Sequence, residues 1–341
     1  MRKRTWHFIL PIFALAAALT LLDVPLASSQ GTTLIAAQVA GALPVDDPAS
    51  LLWQQATAIE VPLSAQVVAR PMNKETRVKS VTARALHDGA QVAFLVEWLD
   101  ETQNDQMIRV QDFRDAVALQ FPLSEQAPFF CMGMQGGNVD IWHWKADWQA
   151  DIAAWQDMET AYPDMNVDQY PFAAGELPSP GDYEDVNYLP ALASDNLFAS
   201  PRLSPVEDIV AGGFSTLTAE PAANQNVQGF GAWTDGKWQV IFSRSLASPE
   251  AEDASFNPGK VYSIAFAAWD GENDERNGEK STSQWVSFQL EEEEQAPSQD
   301  VQAAPQEQAG GISRQVIIYA IWGVVILLII GGVVIYLRLP N

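Results

Sequence analysis

Two short segments hold most of the side chains that could do chemistry. The first, Pro128-Phe-Phe-Cys-Met-Gly-Met-Gln-Gly-Gly-Asn-Val-Asp-Ile-Trp-His-Trp-Lys-Ala146, sets Met132 and Met134 ahead of a glycine-rich turn and a strand bearing Trp142, His143 and Trp144. The second, Trp269-Asp-Gly-Glu-Asn-Asp-Glu-Arg-Asn-Gly-Glu-Lys-Ser281, is a hydrophilic loop that ends in Lys280. A thioether is a soft metal donor. A lysine amine has a lone pair to give only after it loses its proton. Taken singly, both have ordinary explanations: a methionine beside a strand usually fills a core, and a lysine among Asp, Glu and Asn is usually a solvated charge.

What is missing narrows the choice. The single cysteine, Cys131, excludes an internal disulfide framework and a CxxCH attachment site. Two of the three histidines, His87 and His143, lie outside the N-terminal leader, so a bis-histidine haem or a three-histidine zinc site is poorly supplied. No catalytic triad, P-loop, HExxH or CxxC pair occurs, so the usual enzyme signatures are silent. The formal charge of −24 removes nucleic acid as a partner, because phosphate recognition needs a basic face. Such a field steers a basic partner inward, for example a soluble redox protein.

The ends of the chain set its compartment. Arg2, Lys3 and Arg4 precede an apolar run from Phe8 to Leu22, and small residues at Ala27 and Ser29 follow, so residues 1–29 read as a signal peptide. At the other end, Val316 to Leu337 is 22 residues without a charge, long enough to span a bilayer as one transmembrane helix. The stretch from Glu291 to Ser313, with its run of glutamates followed by Gln, Pro, Ala and Ser, cannot bury a core and reads as an acidic flexible linker. The expected organisation is therefore a signal peptide at 1–29, a folded domain at 30–290, a linker at 291–313, and a membrane anchor with a short cytoplasmic tail at 314–341. The main domain is expected on the extracytoplasmic side of the cell membrane.

The pattern within the domain is that of strands. Val78 to Leu86, a turn at His87, Asp88 and Gly89, and Val92 to Leu99 form one expected hairpin. Asp115 to Phe121 ends at Pro122, and Asn138 to Lys145 alternates, with Val139, Ile141 and His143 on one face and Trp142 and Trp144 on the other. Trp148, Ile152, Trp155 and Tyr162 switch to helical spacing, which predicts a short helix over Asp147 to Ala161. Pro163 to Pro221 reads as long loops. Strands are expected again at Gly229 to Trp233, Trp238 to Ser243, Val261 to Trp269 and Trp285 to Leu290. The predicted fold is mainly β, an antiparallel β-sandwich with a few short helices, long loops and one C-terminal transmembrane helix.

Together with Asp115-Ala-Val-Ala-Leu-Gln-Phe-Pro122, Asp235-Gly-Lys-Trp238 and Arg244-Ser-Leu246, the two segments resemble the haem-binding γ subunits of periplasmic molybdoenzymes of the ethylbenzene dehydrogenase and dimethylsulfide dehydrogenase type. The resemblance runs from about Leu51 to Leu290 and keeps the five segments in order. It implies a β-sandwich holding one non-covalent haem b between a methionine sulfur and a lysine amine. In this sequence the lysine is Lys280 and the methionine is Met132, with Met134 as the alternative sulfur. His143 is the runner-up ligand, though a ring on an alternating strand is more often simply packed. Trp142 and Trp144 could flank the porphyrin or offer a sugar-stacking platform, against the more ordinary fate of a core position. The family's familiar members are soluble, so the membrane helix is a departure.

The chemistry of such a site is simple. A thioether favours ferrous iron and raises the reduction potential, which suits a relay with no open position for oxygen. Removing a proton from lysine near pH 7 costs about 4 to 5 kcal/mol, which the iron bond and a desolvated pocket must exceed. The resemblance thus implies an electron-transfer subunit, with iron–sulfur and molybdenum subunits as partners on one side. On the other side it implies a soluble cytochrome or a quinone-linked membrane protein. The competing readings are a membrane-anchored carbohydrate- or ligand-binding sandwich without a redox cofactor, and a plain anchor for an enzyme.

Overall fold

The computed structural model describes residues 33–124, 128, 132–166, 196–199 and 201–292. The expected signal peptide, Cys131, nearly all of the linker, the Val316 to Leu337 helix and residues 167–195 of the long loops lie outside these residues. Among the described residues, no helix is long and apolar enough to cross a membrane.

Two hairpins form where turn chemistry dictates. β4 (Ser80–His87) and β5 (Gln91–Leu99) pair antiparallel around Asp88, whose Oδ1 accepts from the backbone N–H groups of Ala90 and Gln91, and Gly89 takes a φ of +88°. β10 (Gln228–Thr234) and β11 (Lys237–Ser245) turn at Asp235 and Gly236, with φ values of 52° and 75°. β6 (Ala116–Pro122), β7 (Val139–Lys145), β12 (Val261–Trp269) and β14 (Val286–Leu290) fall on the other expected strands to within a few residues.

Four short strands and two longer ones complete the set. The short ones are β2 (Ile59–Pro62), β3 (Ser64–Ala65), β9 (Thr218–Ala219) and β13 (Ser281–Thr282). The longer ones, β1 (Thr33–Gln38) and β8 (Val206–Ala211), were not expected. β8 falls inside the stretch read as loops, and all six of its residues are buried. Its Glu207 and Asp208 hide the strand pattern, because each acid is matched by a buried cation, Lys145 and Arg244 respectively. The expected helix over Asp147 to Ala161 is two pieces, α1 (Ala146–Ala153) and α2 (Met158–Ala161). The break comes from Asp157, whose carboxylate caps Glu159 and Thr160 and starts a new helix there.

The strands join in the order β10-β11-β5-β4-β1-β14-β12-β6-β7-β8-β9. The antiparallel expectation needs correcting at β1, which runs parallel to both of its neighbours, β4 and β14, so the sheet is mixed. Parallel neighbours require crossover connections, and the long excursions before β4 and β14 provide them. Across the core, β5 meets β6 and β7: Phe94 lies 5.8 Å from both Phe121 and Trp142, and Phe121 lies 4.8 Å from Trp142. Trp144 packs 4.9 Å from Trp238 and lies directly over Gly231, where a Cβ would come within 2.2 Å of the indole. The inner faces of the two halves of the sheet therefore form one aromatic core.

Candidate functional site

The outer face of β6, β7, β8 and β12 is also covered, but by a cavity of about 670 Å³. Period-2 alternation sends Ala116, Ala118 and Gln120 of β6 to this face, with Ile141, His143 and Lys145 of β7 and Ala265, Ala267 and Trp269 of β12. The four alanines leave a flat, apolar floor. Cavities of this size, mostly apolar with a few convergent polar groups, are the usual form of small-molecule and cofactor sites.

Met132 enters from the turn before β7. Its φ of +93° is a left-handed conformation that side chains rarely adopt, and it is held from both sides. Its N–H donates to Gln120 Oε1 at 2.9 Å, and its carbonyl accepts from Gly213 N at 2.8 Å. Gly133 follows at a φ of +76°, where a Cβ would lie 2.5 Å from the Ala211 carbonyl oxygen, so the chain can pass there only as glycine.

Lys280 enters from the opposite loop. Asp115 anchors the start of that loop by accepting from Gly271 N at 2.9 Å, while its other oxygen accepts from Asn104 N and Trp238 Nε1. Glu275 accepts from Asp270 N and from the Asn73 side chain. Trp269 Nε1 donates to the Asn277 carbonyl at 3.1 Å. Gln66 ties the end of the loop down: its N–H donates to the Lys280 carbonyl at 2.9 Å and its amide nitrogen to the Gly278 carbonyl at 2.8 Å. The last turn then runs into β13, which pairs with both β12 and β3.

The two loops bring Met132 Sδ and Lys280 Nζ to 3.4 Å from each other, although the residues are 148 positions apart in sequence. Both are buried, each with 8 % of its surface exposed. The ammonium position also lies 4.9 Å from the centre of the Trp269 ring. His143 stacks on that same ring at 4.7 Å and lines the cavity. Burial, then the charges of Lys145, Arg114 and Lys280, hold its imidazole well below the usual pKa, so it is neutral, and its Nε2 has no hydrogen-bond partner. The Gln120 side-chain nitrogen is likewise unpartnered. Two buried polar atoms in the cavity wall are thus left for an occupant.

The other sequence-predicted residues lie elsewhere. Met134 is half exposed and exchanges backbone hydrogen bonds with Gly137, and it does not line the cavity. Trp142 and Trp144 are fully buried on the inner face of β7, in the aromatic core, because alternation along the strand turns them away from the face that carries Ile141 and His143. Neither lines the cavity, whereas Trp269, on β12, does. Sequence reasoning missed several lining residues, among them Gln120, Arg114, the Lys145–Glu207 pair, and Arg70 and Arg276. The His143 face of β7 was the available signal, since whatever that strand shows outward lines the site.

Burial raises the pKa of Glu275 to about 7, and burial together with the charge of Asp100 does the same for Asp115. The unfolded chain releases these protons near pH 4, so the folded state binds more protons between about pH 4 and 7. The stability these two groups contribute is complete below pH 4 and is lost as pH rises through 7. A denaturant midpoint lower at pH 7.5 than at pH 5 is therefore expected, and an Asp115→Asn, Glu275→Gln variant flattens the difference.

Two relatives are similar over most of their length. A protein assigned as a respiratory nitrate reductase heme subunit from Haloferax mediterranei is 25 % identical over 283 residues, which is 80 % of this chain and 81 % of that one. The chlorate reductase subunit gamma of Ideonella dechloratans is 24 % identical over 243 residues, covering 70 % of this chain and 77 % of that one. Among solved structures, a family 9 carbohydrate-binding module from Caldicellulosiruptor kristjanssonii in complex with glucose covers 79 % of this chain and all of its own, at 8 % identity and a TM-score of 0.37, too distant to say what the cavity holds. Residues 50–281, which include Met132 and Lys280 and every strand of the cavity floor, match the family described as ethylbenzene dehydrogenase, and the chain belongs to that family.

Proposed function

We propose that this chain is the haem-carrying electron-transfer subunit of a molybdoenzyme complex, in which Met132 and Lys280 would hold one non-covalent haem b. The 3.4 Å approach of Sδ to Nζ in a buried cavity carries the reading. A core thioether has no need of a buried amine beside it, whereas a soft sulfur donor and an amine that converge in one cavity suit a metal centre. The relatives, a heme subunit and a γ subunit of reductases, agree with it. The left-handed backbone at Met132 fits too, since strain of about 1–3 kcal/mol is held where function over-determines the geometry.

The donor set suits the group. A bound haem supplies one-electron chemistry. The residues of this chain would do the rest: the thioether would favour the reduced metal, and the alanine floor and Trp269 would keep water from the cofactor. Arg70 and Arg276 are exposed and line the cavity, where they suit the carboxylates of such a ligand. The polypeptide performs no substrate chemistry; catalysis lies with molybdenum-containing subunits, electrons pass through an iron–sulfur subunit, and the outer carrier is a soluble cytochrome or a quinone-linked protein. Export by residues 1–29 and tethering by Val316 to Leu337 would place the domain at the outer face of the cell membrane.

The absorption spectrum of the purified protein tests this. A Soret band whose pigment extracts into acid acetone is expected, and a colourless protein expressed with ample haem would defeat the reading and favour a binding module. Met132→Ala should shift or abolish the band. Met134→Ala should leave both the band and the stability unchanged, to within about 0.5 kcal/mol, as for an exposed side chain. The reverse pattern would move the sulfur ligand to Met134.

A further inference from the structure

The cavity face of β6 carries Ala116, Ala118 and then Gln120, which is 6 % exposed. A buried amide beside an apolar floor costs free energy unless both its ends find partners. A leucine or methionine would fill the same volume without that cost.

One end of the amide is used. Met132 N–H donates to Oε1 at 2.9 Å, which fixes the amide's orientation, because only its oxygen can accept. Nε2 is then the other end, buried and without a partner among the described residues. Gln66, the second glutamine that lines the cavity, differs. Its Nε2 donates to the carbonyls of Ala69, Pro71 and Gly278, and its Oε1 accepts from Val68 N and Ala69 N. Gln66 is a satisfied brace of the Lys280 loop, whereas Gln120 keeps one donor to spare at the cavity wall.

The oxygen of Gln120 does more than satisfy an N–H. Peptide units are planar, so a hydrogen bond to the Met132 N–H orients the plane before its Cα, and one to its carbonyl orients the plane after it. Both are in place, since Gly213 N–H holds the carbonyl at 2.8 Å. Two fixed planes set φ and ψ, and with them the direction in which the side chain leaves the backbone. Here φ is +93°, a value that an unrestrained methionine would leave. The Gly213 contact is backbone to backbone, so Gln120 is the side chain on which the aim of the sulfur depends.

We propose, resting on the haem reading above, that Gln120 is a positioning residue for the Met132 sulfur. It acts through the Met132 N–H, and its spare Nε2–H is left to an acceptor on the molecule that the cavity takes. Without that hydrogen bond the Met132 peptide can relax toward negative φ, and the thioether leaves its 3.4 Å contact with Lys280 Nζ. A donor that favours ferrous iron is then held less firmly.

The test uses the full chain and compares Gln120→Leu, Gln120→Asn and Gln120→Glu with the parent. Leucine offers no acceptor and asparagine is one methylene short, whereas glutamate keeps an oxygen in the same place. With haem bound, the Leu and Asn variants should weaken the thioether-to-iron charge-transfer band of the oxidised protein. They should also lower the reduction potential by about 59 mV or more, the one-electron equivalent of a tenfold loss. Gln120→Glu should keep the band. In the protein without haem, the Met132 amide hydrogen should exchange about tenfold faster in the Leu and Asn variants and at the parent rate in Gln120→Glu, as read by mass spectrometry. Gln120→Asn keeps the test open if Gln120→Leu does not fold. An unchanged band and potential in either variant overturns the proposal, whatever the amide does, and leaves the haem reading intact. Equal loss in all three variants would make Gln120 a packing element and overturn it as well. A colourless parent defeats the haem reading itself, and this assignment with it.

Discussion

Lys280→Arg should yield a folded protein that does not retain haem. The guanidinium keeps its proton at any pH the fold survives, so it has no lone pair for a metal. The larger charged head would also sit against the Met132 sulfur, now 3.4 Å from the amine, and close to Trp269. With the ligand lost, haem affinity should fall by more than about 100-fold, beyond the range typical of a lost outer partner. The measurement is pigment content after gel filtration, set against circular dichroism to show that the sheet persists. Lys280→Ala supplies the complement: it opens space in the same cavity, and added imidazole or a small amine should restore part of the Soret band. Retention of haem with an unchanged spectrum in Lys280→Arg would remove the lysine from the site.

Trp142→Ala should do the opposite, costing stability and sparing the spectrum. The indole is fully buried and packs 4.8 Å from Phe121, 5.8 Å from Phe94 and 6.3 Å from Phe256. It also lies 4.7 Å from the Arg244 guanidinium and donates Nε1–H to Asp140. Truncating a core tryptophan costs about 3–5 kcal/mol. In a domain of this size each kcal/mol moves the melting temperature by about 2–4 °C, so a fall of about 6–20 °C is expected. Because the residue faces away from the cavity, the haem spectrum of the protein that does fold should match the parent. A normal melting temperature with lost or shifted haem bands would instead make Trp142 a cofactor-flanking residue.

The hairpins were legible because their turns are written in local chemistry: Asp88 and Gly89 in one, Asp235 and Gly236 in the other. β8 was not, because a strand whose two faces are both covered shows no alternation, and its acids disguise burial that depends on Lys145 and Arg244 far away in sequence. The parallel placement of β1 was hidden for a similar reason, since its partners near residues 85 and 288 leave no mark on residues 33–38. The division of β7 into two faces was readable, and with it the separation of His143 from Trp142 and Trp144. The approach of residue 132 to residue 280 was not. It depends on Gln66, on Asp115 and on the pairing of β13 with β3, and from the sequence alone only resemblance placed those two residues in one site.

The first strand of the domain and the last lie side by side, β1 bonded to β14 along four consecutive residue pairs. Pairing between ends so far apart closes only after slow, non-local search, and no ribosome-bound fragment lacking residue 286 can complete the sheet. Lys280 emerges just ahead of that final strand, long after Met132. On the proposed reading, capture of a ligand between them would be a late step, taken by a chain whose synthesis is almost finished, and truncations meant to shorten the domain from its C-terminal end should forfeit pigment and cooperativity together.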